Sequence, residues 1–305
     1  FNQSVEGELL HTNLDLILWA EGSMPFHAAR NTPENASIYS PSFDGVLEYL
    51  SRRTGVTVLY QAMEYQKGKL FSALMSRPEA DRIYLKRRLV PWGEYLPFEK
   101  NFPSVRKIFP EAGKFSPATK KNVLEITLSH EGSLLPNSQI LKNDLPLLST
   151  PEKIKEKYAE KMRTRNLTIT PLLCYEALFP QDAVGLESDL IVNLSNDTWF
   201  MDGFAGLEHA GAVSLRAVEN GVPFARAALS GVSYAVDNRG EYIAPPTGQG
   251  TVETAYVEIP LQKRFTLFSW GKMPLFYFLM LCALAPYFIK KLRSLVTKNV
   301  NRRTF

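Results

Sequence analysis

The feature that most constrains this chain is a run of seventeen residues without a charge near its C-terminus, Met273 to Ile289. A lysine precedes the run, and two lysines open a basic segment after it. Its length is the lower limit for a helix that crosses a bilayer, with a buried core helix as the alternative. A Lys/Arg cluster directly after an apolar run is typical of a cytoplasmic helix end. We therefore expect a transmembrane helix with its lead-in at 266–289 and a basic cytoplasmic tail at 290–305.

The composition narrows the class of protein. The chain has 305 residues, 45% of them hydrophobic, and a net charge of +4. This is enough to bury a large core, and so mild a basic excess, concentrated at the C-terminus, predicts no nucleic-acid partner. Cys174 lies in a polar-flanked strand end and Cys282 in the apolar run, so we expect no disulfide between them. The four histidines lack metal-ligand spacing and no nucleotide-binding motif occurs, so we predict neither a metal nor a cofactor.

Short β-rich apolar runs alternate with helical patterns through residues 1–265. The first run, Asn13 to Glu21, ends in a carboxylate, and the runs Val56 to Tyr65 and Lys69 to Ser76 lie close enough for neighbouring strands. Further strands are predicted at 82–85, 167–173, 188–197, 222–231, 232–244 and 251–260, and helices at 41–53 and 207–220. The spacing is not the uniform one of a barrel, which favours a layered α/β sandwich.

Two segments depart from this alternation. Arg87 to Phe98 is rich in proline, glycine and aromatic residues, and we interpret it as a packed loop that carries function. Pro136 to Arg165 is polar with a helical pattern. It predicts a solvated helix on a surface insertion, with a lid or a membrane-surface helix as the alternative.

A cysteine stands where one of the predicted strands ends. Cys174 follows an apolar, β-rich run and is followed at once by Tyr175 and Glu176, and Pro180 closes the segment. A sharp turn of this kind exposes the sulfur while backbone N–H groups after it point at a developing oxyanion. Taken alone, the cysteine is more typical of a buried structural thiol than of a nucleophile.

Two other ionisable residues also stand at strand ends, and they change the interpretation of the cysteine. Glu21 follows LILWA and Lys86 follows RIYL. Each alone is compatible with a surface charge or an ion pair. With Cys174 they supply a base, a cation and a nucleophile, which is the set that covalent acyl transfer needs.

Four motifs give the sequence a family resemblance. They are YLKRRLVPWGEYLPF, LLCYEALFP, SNDTWF and EHAGAVSLRAVENGVPFARA. Between about Leu14 and Ile289 the chain resembles the carbon–nitrogen hydrolase (nitrilase) superfamily, and within it the apolipoprotein N-acyltransferases of bacterial lipoprotein maturation. The resemblance implies a nitrilase-like α-β-β-α sandwich followed by one transmembrane helix. In that family several membrane helices and a first strand precede the region that this chain matches, so we expect the catalytic domain at 1–265 to be incomplete at its N-terminus.

The resemblance also implies roles for individual residues. Glu21 would be the general base, Lys86 the oxyanion-stabilising cation and Cys174 the nucleophile that carries the acyl group. WAE replaces the Trp-Pro-Glu common in the family, which changes the turn but keeps the carboxylate. The family's second glutamate corresponds to Glu94, expected to orient Lys86 or the base.

Further implied roles concern the turn and the acyl pocket. Tyr175 would lend its backbone N–H to the oxyanion hole, and Glu176 would hold the turn. Trp199 and Phe200 fall where the family lines its acyl pocket, with core packing as the alternative.

The activity implied is a ping-pong transfer. Cys174 would take an acyl chain from a membrane phospholipid and pass it to the α-amino group of the diacylglyceryl-cysteine of an apolipoprotein. The enzyme would lie in the bacterial inner membrane, with the catalytic domain on its periplasmic face. Two alternatives remain open: a nitrilase-type amidase that hydrolyses a small amide, and an inactive paralogue or fragment that acts as a membrane-anchored binding module.

Overall fold

The computed structural model describes residues 14–23, 29–30, 45–49, 51, 55–79, 83–131, 162–184, 187–200 and 203–301. Two five-stranded sheets form within these residues. Each sheet contributes strand ends to the site described below.

The first sheet is built around a long hairpin. Its strands are β1 (Leu16–Leu18), β2 (Ala29–Arg30), β3 (Thr57–Gln66), β4 (Lys69–Arg77) and β5 (Ile83–Leu85). The order is β1-β3-β4-β5, with β2 also beside β3. The hairpin turns through Lys67 and Gly68, both with positive φ (50° and 75°), as a tight turn that matches the strand twist requires.

The second sheet has a parallel centre and antiparallel edges. Its strands are β6 (Leu124–Glu131), β7 (Met162–Leu173), β8 (Leu190–Asn196), β9 (Phe224–Leu229) and β10 (Tyr234–Val236). The order is β10-β9-β8-β7-β6, and β7, β8 and β9 run parallel. The central strand β8 is buried along almost its whole length, which explains why both of its faces carry apolar residues.

Helical segments complete the fold. Residues 45–49 and Ser51 are helical. The other helices are α1 (Val105–Ile108), α2 (Pro180–Ala183), α3 (Phe204–Asn220) and α4 (Leu267–Asn301), with 3-10 helices at Cys174–Leu178 and Thr198–Phe200.

The layers confirm the predicted α-β-β-α sandwich. Leu59 and Leu74 of the first sheet pack in one buried cluster with Ile126 and Ile169 of the second, so the main core lies between the sheets. The two outer faces have clusters of their own. Val213 and Ala217 of α3 pack with Ile191 and Phe224, while Leu47 packs with Val58, Tyr60, Ala73 and Met75.

Three sequence predictions differ from the structure. Strand β6 was not predicted, although its sequence LEITLSHE alternates apolar and polar residues. The predicted helical insertion 136–165 is wrong at its end, because Met162 to Arg165 already pair with β6; residues 136–161 lie outside the described part. The predicted strand at 251–260 is irregular, and its apolar residues pack against the core without joining a sheet.

The C-terminal helix α4 is interrupted at Lys272, whose φ of 51° and ψ of −158° are not helical. Within the described residues, Pro274–Lys291 is the one helical stretch long and apolar enough to cross a membrane. None of this stretch is buried against the protein. A core helix would be covered, so the alternative of a buried soluble helix does not describe this segment.

A glycine at the end of α3 carries the first testable prediction. Gly221 has φ 64°, and a Cβ there would lie 1.9 Å from the carbonyl oxygen of Arg264. We expect Gly221→Ala to lower the free energy of unfolding by about 2 kcal/mol or more, from the left-handed backbone and the overlap together. Chemical denaturation measures this change. The control is Gly211→Ala on the same helix, where nothing lies within 4 Å of the added Cβ; an equal loss in both variants would contradict the prediction.

Candidate active site

Three strand ends bring the predicted catalytic side chains together. Glu21 lies just beyond β1, Lys86 directly follows β5, and Cys174 directly follows β7. The Lys86 Nζ is 3.3 Å from Glu21 Oε1. The Cys174 thiol lies within hydrogen-bonding reach of the Glu21 carboxylate. Strand ends from both sheets therefore meet at one buried point.

Lys86 lies between two carboxylates. Its ammonium contacts Glu94 Oε1 at 2.7 Å in addition to Glu21, and its side chain is only 1% exposed. The other Glu94 oxygen accepts a hydrogen bond from the Val90 backbone N–H at 2.8 Å. The loop that follows Lys86 thus folds back and holds a second carboxylate against the same ammonium.

Burial and the neighbouring charges shift the pKa values of both Glu21 and Lys86. Burial raises the pKa of Glu21, Lys86 lowers it in part, and Glu94 raises it further. Burial alone would lower the pKa of Lys86, but Glu21 and Glu94 outweigh it and raise that pKa above its ordinary value. Lys86 therefore stays protonated, while Glu21 is a carboxylate that takes up a proton readily.

Cys174 opens a 3-10 helix in a left-handed conformation, with φ 46°. Such a backbone costs about 1–2 kcal/mol for a residue with a Cβ, and at functional sites it re-aims a side chain. The sulfur faces the Ser195 hydroxyl and the Asn196 backbone N–H. Burial and Glu21 raise the pKa of Cys174 to about 11, against a smaller lowering by Lys86. At neutral pH the thiol is protonated and depends on a neighbouring base.

Glu176 connects the cysteine turn to the segment after Lys86. It is fully buried, and its Oε1 accepts hydrogen bonds from the Tyr84 hydroxyl (2.9 Å) and the Arg87 backbone N–H (2.6 Å). Its Oε2 accepts one from the Leu173 backbone N–H at 2.9 Å. One carboxylate therefore fixes the positions of the nucleophile turn and of the lysine relative to each other.

The remaining predicted residues flank the cysteine and β8. Tyr175 is the second residue of the 3-10 helix, where a backbone N–H has no partner within the helix, and its ring contacts Phe179 edge to face at 4.9 Å. Trp199 is 76% exposed, so it is not part of the core. The Phe200 ring lies 5.5 Å from the ring of His209.

A second buried polar group lies behind the cysteine and was not predicted from the sequence. It consists of Asn193 and Ser195 of β8, Asp197 just after it, His209 of α3 and Arg226 of β9, all buried. One signal was present in the sequence: the apolar run of β8 contains Asn193 and Ser195, and polar groups in a strand buried on both faces need partners.

Comparisons with known proteins identify the family of this chain. The carbon-nitrogen hydrolase family model matches residues 7–264. Apolipoprotein N-acyltransferase 1 of Leptospira interrogans is 34% identical over 252 residues, 76% of this chain and 43% of that protein. Apolipoprotein N-acyltransferase of Pseudomonas putida is 27% identical over 272 residues, 86% of this chain and 44% of that protein. The chain thus spans less than half the length of these relatives.

A solved structure shows the same fold. The carbon-nitrogen hydrolase of Helicobacter pylori G27 superposes with a TM-score of 0.55 at 13% identity, covering 84% of this chain and 81% of that one. The family match covers most of the chain, and the superposition shows the same overall fold. The chain therefore belongs to the carbon–nitrogen hydrolase family, as a member that resembles the apolipoprotein N-acyltransferases.

Proposed function

We propose that this chain is the catalytic part of a membrane-bound N-acyltransferase. It moves a fatty acyl chain from a phospholipid, through a thioester on Cys174, to the α-amino group of an apolipoprotein's diacylglyceryl-cysteine. The observation that supports this most is the position of the Glu21 carboxylate. It lies beside the Cys174 thiol, and its Oε1 is 3.3 Å from the Lys86 Nζ. The relatives named apolipoprotein N-acyltransferase supply the substrate class.

In the first half-reaction Glu21 takes the thiol proton as the sulfur of Cys174 attacks the ester carbonyl carbon. The carbonyl electron pair moves to oxygen, and the Lys86 ammonium stabilises that oxyanion with the Tyr175 backbone N–H. The intermediate collapses when the C–O bond to the lysophospholipid breaks. Glu21 returns its proton to the departing oxygen, and the acyl group remains on Cys174 as a thioester.

In the second half-reaction the amine of the acceptor attacks the thioester carbonyl. Glu21 accepts a proton from the attacking nitrogen, and the C–S bond breaks to release the N-acylated product. The proton then returns to the sulfur of Cys174. Lys86 keeps its charge through both halves, as its raised pKa favours.

A lipid donor accounts for features that a small-amide hydrolase does not need. The loop after Lys86 exposes large apolar side chains, among them Phe98 (69%) and Phe102 (61%). The exposed helix Pro274–Lys291 would cross the bacterial inner membrane, with the basic tail in the cytoplasm and the catalytic domain on the periplasmic face. This arrangement would hold the site at the leaflet that supplies the phospholipid.

The test uses the full chain in detergent with mixed phospholipid, in a Cys282→Ser background so that Cys174 is the single thiol. We expect intact mass spectrometry to show one acyl adduct that hydroxylamine removes and that Cys174→Ala abolishes. Adding a diacylglyceryl-cysteine peptide should move the acyl group to its amine. Ammonia release from small amides without transfer to the peptide would favour the amidase, and no adduct on Cys174 would contradict the proposal.

A further inference from the structure

A buried charge cluster behind Cys174 has no part in the reaction described above. Its centre is Asp197, whose Oδ2 accepts a hydrogen bond from Arg226 Nη2 at 2.6 Å. The Oδ1 of Asp197 accepts one from the Ser195 hydroxyl at 2.8 Å and lies 3.2 Å from His209 Nδ1. Burying an ion pair is costly, and removing one partner of such a pair leaves an uncompensated buried charge.

The cluster reaches Cys174 from two sides. On one side, the Ser195 hydroxyl lies beside the sulfur. On the other, Arg226 Nη1 donates to Asn193 Oδ1, and Asn193 Nδ2 donates to the carbonyls of Leu172 (3.0 Å) and Cys174 (3.5 Å). Arg226 therefore connects two contacts of Cys174. Through Asp197 it is linked to the Ser195 hydroxyl beside the sulfur, and through Asn193 to the backbone carbonyl of Cys174.

The space around Asp197 is closely fitted. A Cβ added at Gly231 would lie 2.2 Å from Asp197 Oδ2, so that a glycine is required beside the carboxylate. Burial would raise the pKa of Asp197, but the hydrogen bond with His209 and the charge of Arg226 outweigh it and lower that pKa to about 2. Asp197 is thus ionised at neutral pH.

An ionised Asp197 settles the direction of the Ser195 hydroxyl. Ser195 has one proton, and a carboxylate 2.8 Å away is a stronger acceptor than a neutral thiol. The proton therefore points to Asp197 and not to the sulfur. Once Glu21 has taken the thiol proton, the hydroxyl can rotate and donate to the thiolate instead.

We propose that Asp197 is a positioning residue for the Cys174 nucleophile, acting through the Ser195 hydroxyl and through Arg226 and Asn193. The inference rests on the proposed role of Cys174 and adds to it a buried polar group from β8, β9 and α3. It assigns a task to three charged or titratable side chains that contact no reacting atom.

The test compares Ser195→Ala and Asp197→Asn in the Cys282→Ser background of the full chain. Iodoacetamide alkylation of Cys174 against pH measures the ionisation of the thiol, and phospholipid acylation measures the reaction. Ser195→Ala removes a donor to the thiolate, so the alkylation midpoint should rise by about one pH unit.

Asp197→Asn should move the alkylation midpoint the other way. The amide oxygen of the new side chain must accept from Arg226, so its N–H group faces Ser195 and releases the Ser195 proton to the sulfur. More thiolate forms, yet acylation should fall by about ten- to a hundred-fold because the nucleophile turn loses its support. An unfolded variant would also lower the midpoint, toward the ordinary thiol value of about 8.5. The comparison therefore uses Asp197→Asn only where its circular dichroism spectrum and unfolding midpoint match those of the wild type.

The matched control is Asp189→Asn, the same change at the other end of β8, where the carboxylate pairs with Lys263 at 3.0 Å. It should alter neither midpoint nor rate. Acylation of Asp197→Asn at the wild-type rate, or midpoints that move in the same direction in both test variants, would overturn the inference. If Asp197→Asn does not fold, the midpoint of Ser195→Ala decides, an unchanged value contradicting the proposal. The alkylation measurement uses no phospholipid, so it stays decisive even where the acylation result contradicts the proposed function.

Discussion

Glu21→Gln should reduce acylation of Cys174 by a factor on the order of 10² to 10⁴, the contribution typical of a general base. The glutamine keeps the shape of the side chain and can still contact Lys86, but it cannot accept the thiol proton. With the pKa of Cys174 raised to about 11, almost no thiolate forms at neutral pH without that acceptor. Single-turnover acylation from phospholipid, followed by mass spectrometry, measures the loss.

The pH profile separates this loss from a structural effect. In the wild-type protein the rate should fall as the pH drops below the raised pKa of Glu21, because only the ionised carboxylate accepts a proton. In Glu21→Gln this acidic limb should disappear, and the residual rate should rise with pH toward a thiol pKa below the wild-type value of about 11, because the Glu21 charge that helps to raise it is gone. Glu208→Gln, an exposed position on α3, is the control. An unchanged acidic limb in Glu21→Gln would show that another group is the base.

Lys86→Met should cost a factor on the order of 10² to 10³ in acylation, as loss of one oxyanion-stabilising group does. The methionine fills much of the space of the lysine stem but leaves Glu21 and Glu94 facing each other without a cation. Their repulsion raises the pKa of Glu21 further. The same acylation assay measures the loss, and Lys69→Met in the exposed hairpin is the control.

The further rise in the pKa of Glu21 in Lys86→Met should also appear in the pH dependence of the unfolding free energy. A carboxyl whose pKa is raised in the folded state contributes stability below its unfolded pKa and loses it as the pH rises. Lys86→Met should therefore be destabilised more at pH 8 than at pH 5, measured as unfolding midpoints relative to the wild type. A destabilisation that does not change with pH would mean that the two carboxylates do not share the ammonium as the structure shows.

The three candidate catalytic residues could be grouped from the sequence because each stands where a strand pattern stops. Sites in α/β folds form where the carboxyl ends of strands meet, so Glu21, Lys86 and Cys174 could be grouped without knowledge of the strand order. The order of the sheets was not needed for that step. The role of Glu94 was predicted through the family resemblance, and the structure places it against Lys86 by folding the intervening loop back through Val90.

Other elements were beyond local pattern. Strand β6 follows a stretch of irregular chain, and its partner β7 lies 31 to 45 residues away in sequence, so its pairing is a tertiary event. The segment 251–260 has a strand-like alternation, yet its apolar residues pack on the core from an irregular backbone. An alternating pattern of apolar and polar residues suggests a strand in both segments. Tertiary packing decides that β6 joins a sheet and that 251–260 does not.

From the residues alone one could conclude that the chain is an α/β sandwich with an exposed apolar helix and an acyl-transfer set at its strand ends. The sequence records where apolar periods begin and end, and those limits depend on near neighbours. The partners of a buried polar group do not depend on near neighbours in sequence, because they come from the strands that the sheet order places beside it. Folding was needed to join Asp197 with Arg226, 29 residues away, and to set both behind Cys174. Because both groups are removed from water, each charge needs a partner inside the protein, and this contact supplies it.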